Sequence, residues 1–123
     1  MKIAITTSGT DLDAPVDPRF GRARSFVIYD TESGQWSVLD NAQNLAAAQG
    51  AGIQAATAVV NAGAQAVLTG NCGPKAFRTL AAGKVAVYTD VSGSVREAIE
   101  RFLSGTLQPA AQASVDAHSG IGL

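Results

Sequence analysis

The residues best suited to chemistry lie in the stretch Thr69-Gly70-Asn71-Cys72-Gly73-Pro74-Lys75. The only cysteine of the chain stands there, between the apolar run Ala66-Val67-Leu68 and an amphipathic run from Ala76 to Ala82. That is where a strand should end and a helix begin. A helix N-terminus offers unpaired backbone N–H groups and the positive end of a dipole, a combination that attracts anions. The same field lowers the pKa of a nearby thiol, so Cys72 is expected to be a thiolate at neutral pH and a candidate metal ligand. Soft sulfur beside free N–H groups suits a metal–sulfur species better than a sugar or a base. The plainer alternative is a tight turn in which a small buried cysteine fills space. Gly70 and Gly73 would let the backbone approach a bulky guest closely.

Three further segments can join this turn. Arg19-Phe20-Gly21-Arg22-Ala23-Arg24 places three of the nine basic residues within six positions. Guanidinium groups offer several donors in a planar fork, so such a loop can gather around an anion. It can also be a solvated surface balanced by Asp11, Asp13 and Asp17, with Phe20 anchoring it on the core. Gln49-Gly50-Ala51-Gly52-Ile53 opens a helix and fits a GxGxxA pattern that ends at Ala55. A dinucleotide fingerprint would need a strand immediately before it and an acidic residue about 20 positions on, and neither is present. Gly50 and Gly52 are better read as a second helix start facing a shared pocket. Thr7-Ser8-Gly9, after the first strand, is the candidate fourth wall.

Other chemistries find no support. His118 is the only histidine and lies near the C-terminus, so no Ser–His–Asp arrangement is available. No carboxylate pair sits at a spacing suited to glycosidase-like acid–base work, and there is no Walker A motif. A closed tetrahedral metal site wants four donors, usually Cys and His, and this chain has one Cys, one His and the initiating Met1. It cannot wrap a bare soft cation. It can hold a preassembled anionic cluster that brings its own sulfide, because such a guest needs hydrogen bonds, positive field and a fitted wall.

The elements that must position these residues follow from pattern. The chain has 123 residues, one domain's worth at the usual 100–150 or so. The hydrophobic fraction is 46% and the charged fraction 15%, below the usual figure of about 25%. A formal net charge of −1 gives no general pull toward nucleic acid or an acidic membrane. No apolar run approaches the roughly 20 residues that span a bilayer, and the start of the chain lacks the apolar region of a signal peptide, so a reducing cytoplasm is expected. Residues 2–6, 25–30, 36–40, 66–69 and 84–89 read as strands, and residues 50–62 and 74–82 as helices, with a last helix that starts at the Ser94 cap and is ended by Gly105. Residues 7–24 read as a long ordered loop, 41–49 as a polar, alanine-rich loop, and 106–123 as a flexible tail after a domain of 1–105. Ile53, Ala56, Thr57 and Val60 recur at helical spacing; Phe77, Leu80 and Ala81 should face the core. Gly83 marks a helix stop, and Ser94-Val95-Arg96-Glu97 is a capping box. Strand–helix–strand alternation demands parallel pairing, and the hairpin of residues 25–30 and 36–40, joined by Thr31-Glu32-Ser33-Gly34-Gln35, demands one antiparallel strand. The expected fold is a mixed five-stranded α/β sheet flanked by helices.

With these residues in view, the chain resembles the dinitrogenase iron–molybdenum cofactor biosynthesis family from Met1 to about Gly105. The likeness rests on Lys2-Ile3-Ala4-Ile5, Pro18-Arg19-Phe20-Gly21-Arg22-Ala23, Gly50-Ala51-Gly52-Ile53, Gly70-Asn71-Cys72-Gly73-Pro74-Lys75-Ala76-Phe77 and Val95-Arg96-Glu97-Ala98. The resemblance implies a ribonuclease H-like motif and a protein that carries or inserts metal–sulfur clusters without being a catalyst. It is greatest to small members that hold a mixed molybdenum–copper sulfide cluster without conventional ligation; the alternative cargo is the iron–molybdenum cofactor or a precursor. It also implies P-loop ATPases as partners. Many relatives carry a His-rich tail or a His before the Phe-Gly-Arg loop, whereas this chain has only His118 and, in the loop, Arg19. The expected cluster-binding set is Thr7, Ser8, Arg19, Phe20, Gly21, Arg22, Gly50, Gly52, Asn71, Cys72, Gly73, Pro74 and Lys75. The competing classes are a nucleotide-binding regulatory module and a two-metal nuclease; the nuclease would need carboxylates that the first strand does not have.

Overall fold

The computed structural model describes residues 1–45 and 50–113. Gln49, His118 and the end of the expected tail lie outside the described residues. Five strands form one sheet in the order β3-β2-β1-β4-β5: β1 (Lys2–Thr7), β2 (Ser25–Asp30), β3 (Trp36–Asp40), β4 (Ala64–Leu68) and β5 (Ala86–Tyr88). β2 runs antiparallel to both neighbours, while β1, β4 and β5 are mutually parallel. The mixed sheet with a single antiparallel strand is therefore the one expected from element order. Helices α1 (Ala42–Leu45), α2 (Ala51–Asn61), α3 (Pro74–Ala82) and α4 (Val95–Leu103) complete the molecule. The short α1 falls within the segment expected to be loop; its first N–H, from Ala42, is capped by the Asp40 carboxylate at 2.8 Å. Among the described residues, no helix is long and apolar enough to cross a membrane.

Because β-strand side chains alternate between faces, β1 serves two cores. Ile3 and Ile5 pack with Val27, Leu68, Val95 and Ile99 beneath α4. Ala4 packs on the other face with Phe26, Val59, Val67 and Leu80 beneath α2 and α3. Both helices on that second face bury small residues. α2 buries Ala51, Ala55, Ala56 and Val59, and α3 buries Ala76 and Leu80. This corrects one detail of the periodic reading: Ala81 faces solvent. On α2, Ile53 is 40% exposed and Thr57 is also outside. Helices that approach each other closely bury their small residues, so the alanine stripe turned inward rather than the stripe containing isoleucine.

Gly83 follows the last residue of α3, as expected, and has a packing role as well. Its φ is −85°, and the left-handed residue at this helix end is Lys84, at φ 62°. A Cβ on Gly83 would stand 2.7 Å from Val60 Cγ2, so the glycine permits α2 to approach the end of α3. The capping box at α4 is as expected: Glu97 N–H donates to Ser94 Oγ at 3.1 Å, and Ser94 N–H donates to Glu97 Oε1 at 2.9 Å. Beyond α4, Leu107 packs on the core and Ala110 N–H donates to the Val87 carbonyl at 2.7 Å, so the start of the tail lies along β5.

Candidate functional site

The long segment between β1 and β2 is held by its own polar residues. Thr6 Oγ1 donates to the Asp17 carbonyl at 2.8 Å, and Asp17 N–H donates to the Thr6 carbonyl at 2.9 Å. Asp17 Oδ1 accepts the Arg19 N–H at 2.9 Å, an Asx turn that redirects the chain. From there the backbone runs beside the cysteine turn. Asn71 N–H donates to the Pro18 carbonyl at 2.7 Å, and Phe20 N–H donates to the Asn71 carbonyl at 3.1 Å. Gly70 is a glycine because a Cβ there would sit 2.6 Å from the Pro18 backbone. The crevice beyond the carboxyl ends of β1 and β4, the usual ligand position in such sheets, is thus filled by this loop. The open site lies to one side, over α2 and α3.

There the arginine loop meets both helix starts. A Cβ on Gly21 would be 2.9 Å from Gly52 Cα, and one on Gly52 would be 3.4 Å from Ala76 Cβ. Three small residues from three segments are stacked. Around the stack opens a cleft of about 300 Å³, lined by Gly21, Gly52, Gly73, Pro74, Lys75 and Ala76. The volume is at the low end of small-molecule sites, about 300–1,000 Å³. Neither helix start carries a side-chain cap: Gly50 (φ 77°) precedes α2, and Gly73 precedes α3 with Pro74 in its first position. The first turns of both helices border one hollow, whose exposed lining is mainly apolar apart from Lys75.

The expected site residues separate into groups. Gly21, Gly52, Gly73, Pro74 and Lys75 line the cleft, and Ala76 joins them. Phe20 lies beneath, 2% exposed, its ring 5.4 Å from that of Phe26. Arg19 and Arg22 flank Gly21 on the exposed loop, and Gly50 ends the approach to α2. Asn71 contributes through its backbone. Thr7 and Ser8 are not part of the cleft. Thr7 follows Ile3 and Ile5 onto the α4 face, where its hydroxyl donates to the Pro15 carbonyl at 2.8 Å, and Ser8 is exposed beyond it.

Cys72 differs most from expectation. It is 1% exposed and packs in the core cluster with Phe20, Ala76 and Leu80, behind the cleft wall. Burial pushes its thiol from 9.0 up to about 11, so it is protonated at neutral pH. Desolvation outweighs the field of the α3 N-terminus because the sulfur sits inside the core rather than in front of the helix end.

The balance of the arginine loop is also different. Asp13 pairs with Arg96 at 3.1 Å, and Asp17 is occupied by a backbone N–H. Among the described residues, Arg19, Arg22 and Arg24 have no carboxylate partner. Nor do those residues hold any group of three or more His, Cys, Asp or Glu side chains placed to bind a metal ion. One contributor escaped the sequence reading. Asn41 is fully buried, and its Nδ2 donates to the Ala23 carbonyl at 2.7 Å and, at 3.5 Å, to that of Gly21. The only hint was an Asn directly after a strand, which also suits an ordinary turn.

The Nitro_FeMo-Co family model, described as dinitrogenase iron–molybdenum cofactor, matches residues 1–105, and the chain belongs to this family. Among solved structures it is similar to the apo form of the orange protein from Desulfovibrio gigas, at 42% identity, a TM-score of 0.89, and coverage of 91% of this chain and 94% of that one. A Thermotoga protein described as a candidate NifB protein of the DUF35 family is 41% identical, with a TM-score of 0.77 and coverage of 88% and 91%. An uncharacterized protein of Methanocaldococcus jannaschii is 32% identical over 110 residues, 88% of this chain and 90% of that protein.

Proposed function

We propose that this protein is a non-catalytic carrier for a preassembled, anionic metal–sulfur cluster, with a molybdenum–copper sulfide cluster as its first cargo and the iron–molybdenum cofactor or a precursor as the second. The observation that carries this reading is the cleft where Gly21 of the arginine loop meets two helix starts without side-chain caps. Its donor set suits a guest whose metals are already ligated by sulfide. Backbone N–H groups and Lys75 would bind the outer sulfur atoms, while Gly21, Gly52 and Pro74 offer a close-fitting wall. Cys72 supports that wall from behind; direct ligation would require both exposure and deprotonation of its thiol.

The nucleotide-binding alternative would use the same helix starts at Gly50 and Gly73.

The test is reconstitution of the full chain with tetrathiomolybdate and copper(I), followed by gel filtration and metal analysis. A coloured complex with molybdenum and copper eluting with the protein is expected, and Cys72→Ser should retain it. Colourless protein fractions would overturn the reading. Tight binding of adenine nucleotides in calorimetry would favour the alternative.

A further inference from the structure

The cleft does not end at Lys75. A shallow groove of about 460 Å³ shares that residue and runs on between α2 and α3, lined by Ile53, Lys75, Arg78, Thr79 and Ala82. Its charge is of one sign. Residues 41–89, which include both helices, contain no Asp or Glu, and their charged residues are Lys75, Arg78 and Lys84. Ile53, the large apolar side chain that packing left outside, lies in the groove at 40% exposure. Its hydroxyl is internally satisfied, since Thr79 Oγ1 donates to the Lys75 carbonyl at 3.0 Å. What remains for a partner is an apolar contact beside two cations on one face of α3, three positions apart.

We infer that this groove is a docking surface for an acidic segment of another protein, one that carries an apolar side chain among its carboxylates. The apolar side chain would rest on Ile53 and Ala82 while the carboxylates face Lys75 and Arg78. Complementary charge steers such an encounter and sets its orientation. Nucleic acid suits the groove less well, because two cations release few counterions and no aromatic ring lines it for base stacking. The inference rests on the carrier reading in one respect: a carrier must meet the protein that supplies or takes its cargo, and the groove opens beside the cleft.

The test uses the full chain without cluster, so its result does not depend on reconstitution. Two synthetic peptides serve as probes, each a run of glutamates with a central leucine or, in the second, a serine. A short DNA duplex is the competitor. Amide NMR shifts are expected at Ile53, Lys75, Arg78, Thr79 and Ala82, with the leucine peptide binding about fivefold or more tightly than the serine peptide. Arg78→Glu should weaken peptide binding about tenfold while leaving cluster retention unchanged, because Arg78 lies outside the cleft. Ile53→Ser should remove the preference for leucine. Shifts confined to Arg19–Arg24, equal binding of the two peptides, preferential binding of the duplex, or loss of cluster retention in Arg78→Glu would each overturn the assignment.

Discussion

The two faces of the sheet are finished in different ways. Under α4 the polar groups answer one another: Ser94 and Glu97 close the capping box, Arg96 pairs with Asp13, and Arg101 donates to the Ser92 carbonyl. Over α2 and α3 the helix starts are glycines without side-chain caps, the cations lack carboxylates among the described residues, and segments meet through glycine backbone rather than side chains. The first arrangement spends its hydrogen-bonding capacity on stability. The second leaves two helix starts and several cations without side-chain partners among the described residues. The contrast teaches that, on the proposed reading, any capacity for a guest would come from what the chain leaves unsatisfied at two helix ends.

The contrast can be broken most severely at Gly21. Gly21→Ala drives a Cβ against the Gly52 backbone and should cost about 1–3 kcal/mol. Thermal unfolding should report that loss, and cluster retention should fail with it. An unchanged melting temperature would remove the close approach from the account.

Next comes the thiol. The buried Cys72 is raised from 9.0 to about 11, so the stability it contributes is fully present below pH 9.0 and is lost as pH rises through about 11. Denaturant titrations across that window should show a decline that Cys72→Ala removes. The thiol should also react slowly with disulfide reagents at pH 8; rapid reaction would place it in the cleft after all.

On the α4 face, Ser94→Ala removes a cap and should cost about 1 kcal/mol, lowering the melting temperature by a few degrees. Cluster retention should be unaffected, which makes this variant the control for Gly21→Ala. The smallest effect on stability belongs to Arg19→Gln with Arg22→Gln, within about 0.5 kcal/mol because both side chains are exposed. Its effect should appear instead as weaker cluster retention that falls further with added salt. Equal retention at low and high salt would show that these charges do not hold the cargo.

Much of the architecture was legible beforehand because its signals are local. Strand-like runs joined by a glycine turn marked β2 and β3, Pro74 opened α3, and the Ser94–Glu97 spacing announced α4. The errors arose where one segment depends on another. Ala81 was placed inside because periodicity identifies a stripe without fixing its edges, which depend on what a neighbouring helix covers. Gly83 was read correctly as a helix stop, but its packing against Val60 was invisible in sequence. Cys72 was expected to be ionised because a helix end is visible in sequence and burial is not. Asn41 passed unnoticed because the carbonyls it binds, those of Gly21 and Ala23, lie far back along the chain.

The sequence alone therefore determined the order of elements, the mixed sheet and the residues from which a cleft could be built. Periodicity, caps and turn chemistry act over a few residues and need no partner. The tertiary structure alone decided that Gly21, Gly52 and Ala76 stack, that Thr7 faces away and that the thiol stays protonated. Close approach and desolvation are properties of surroundings, and those surroundings exist only once distant segments have packed.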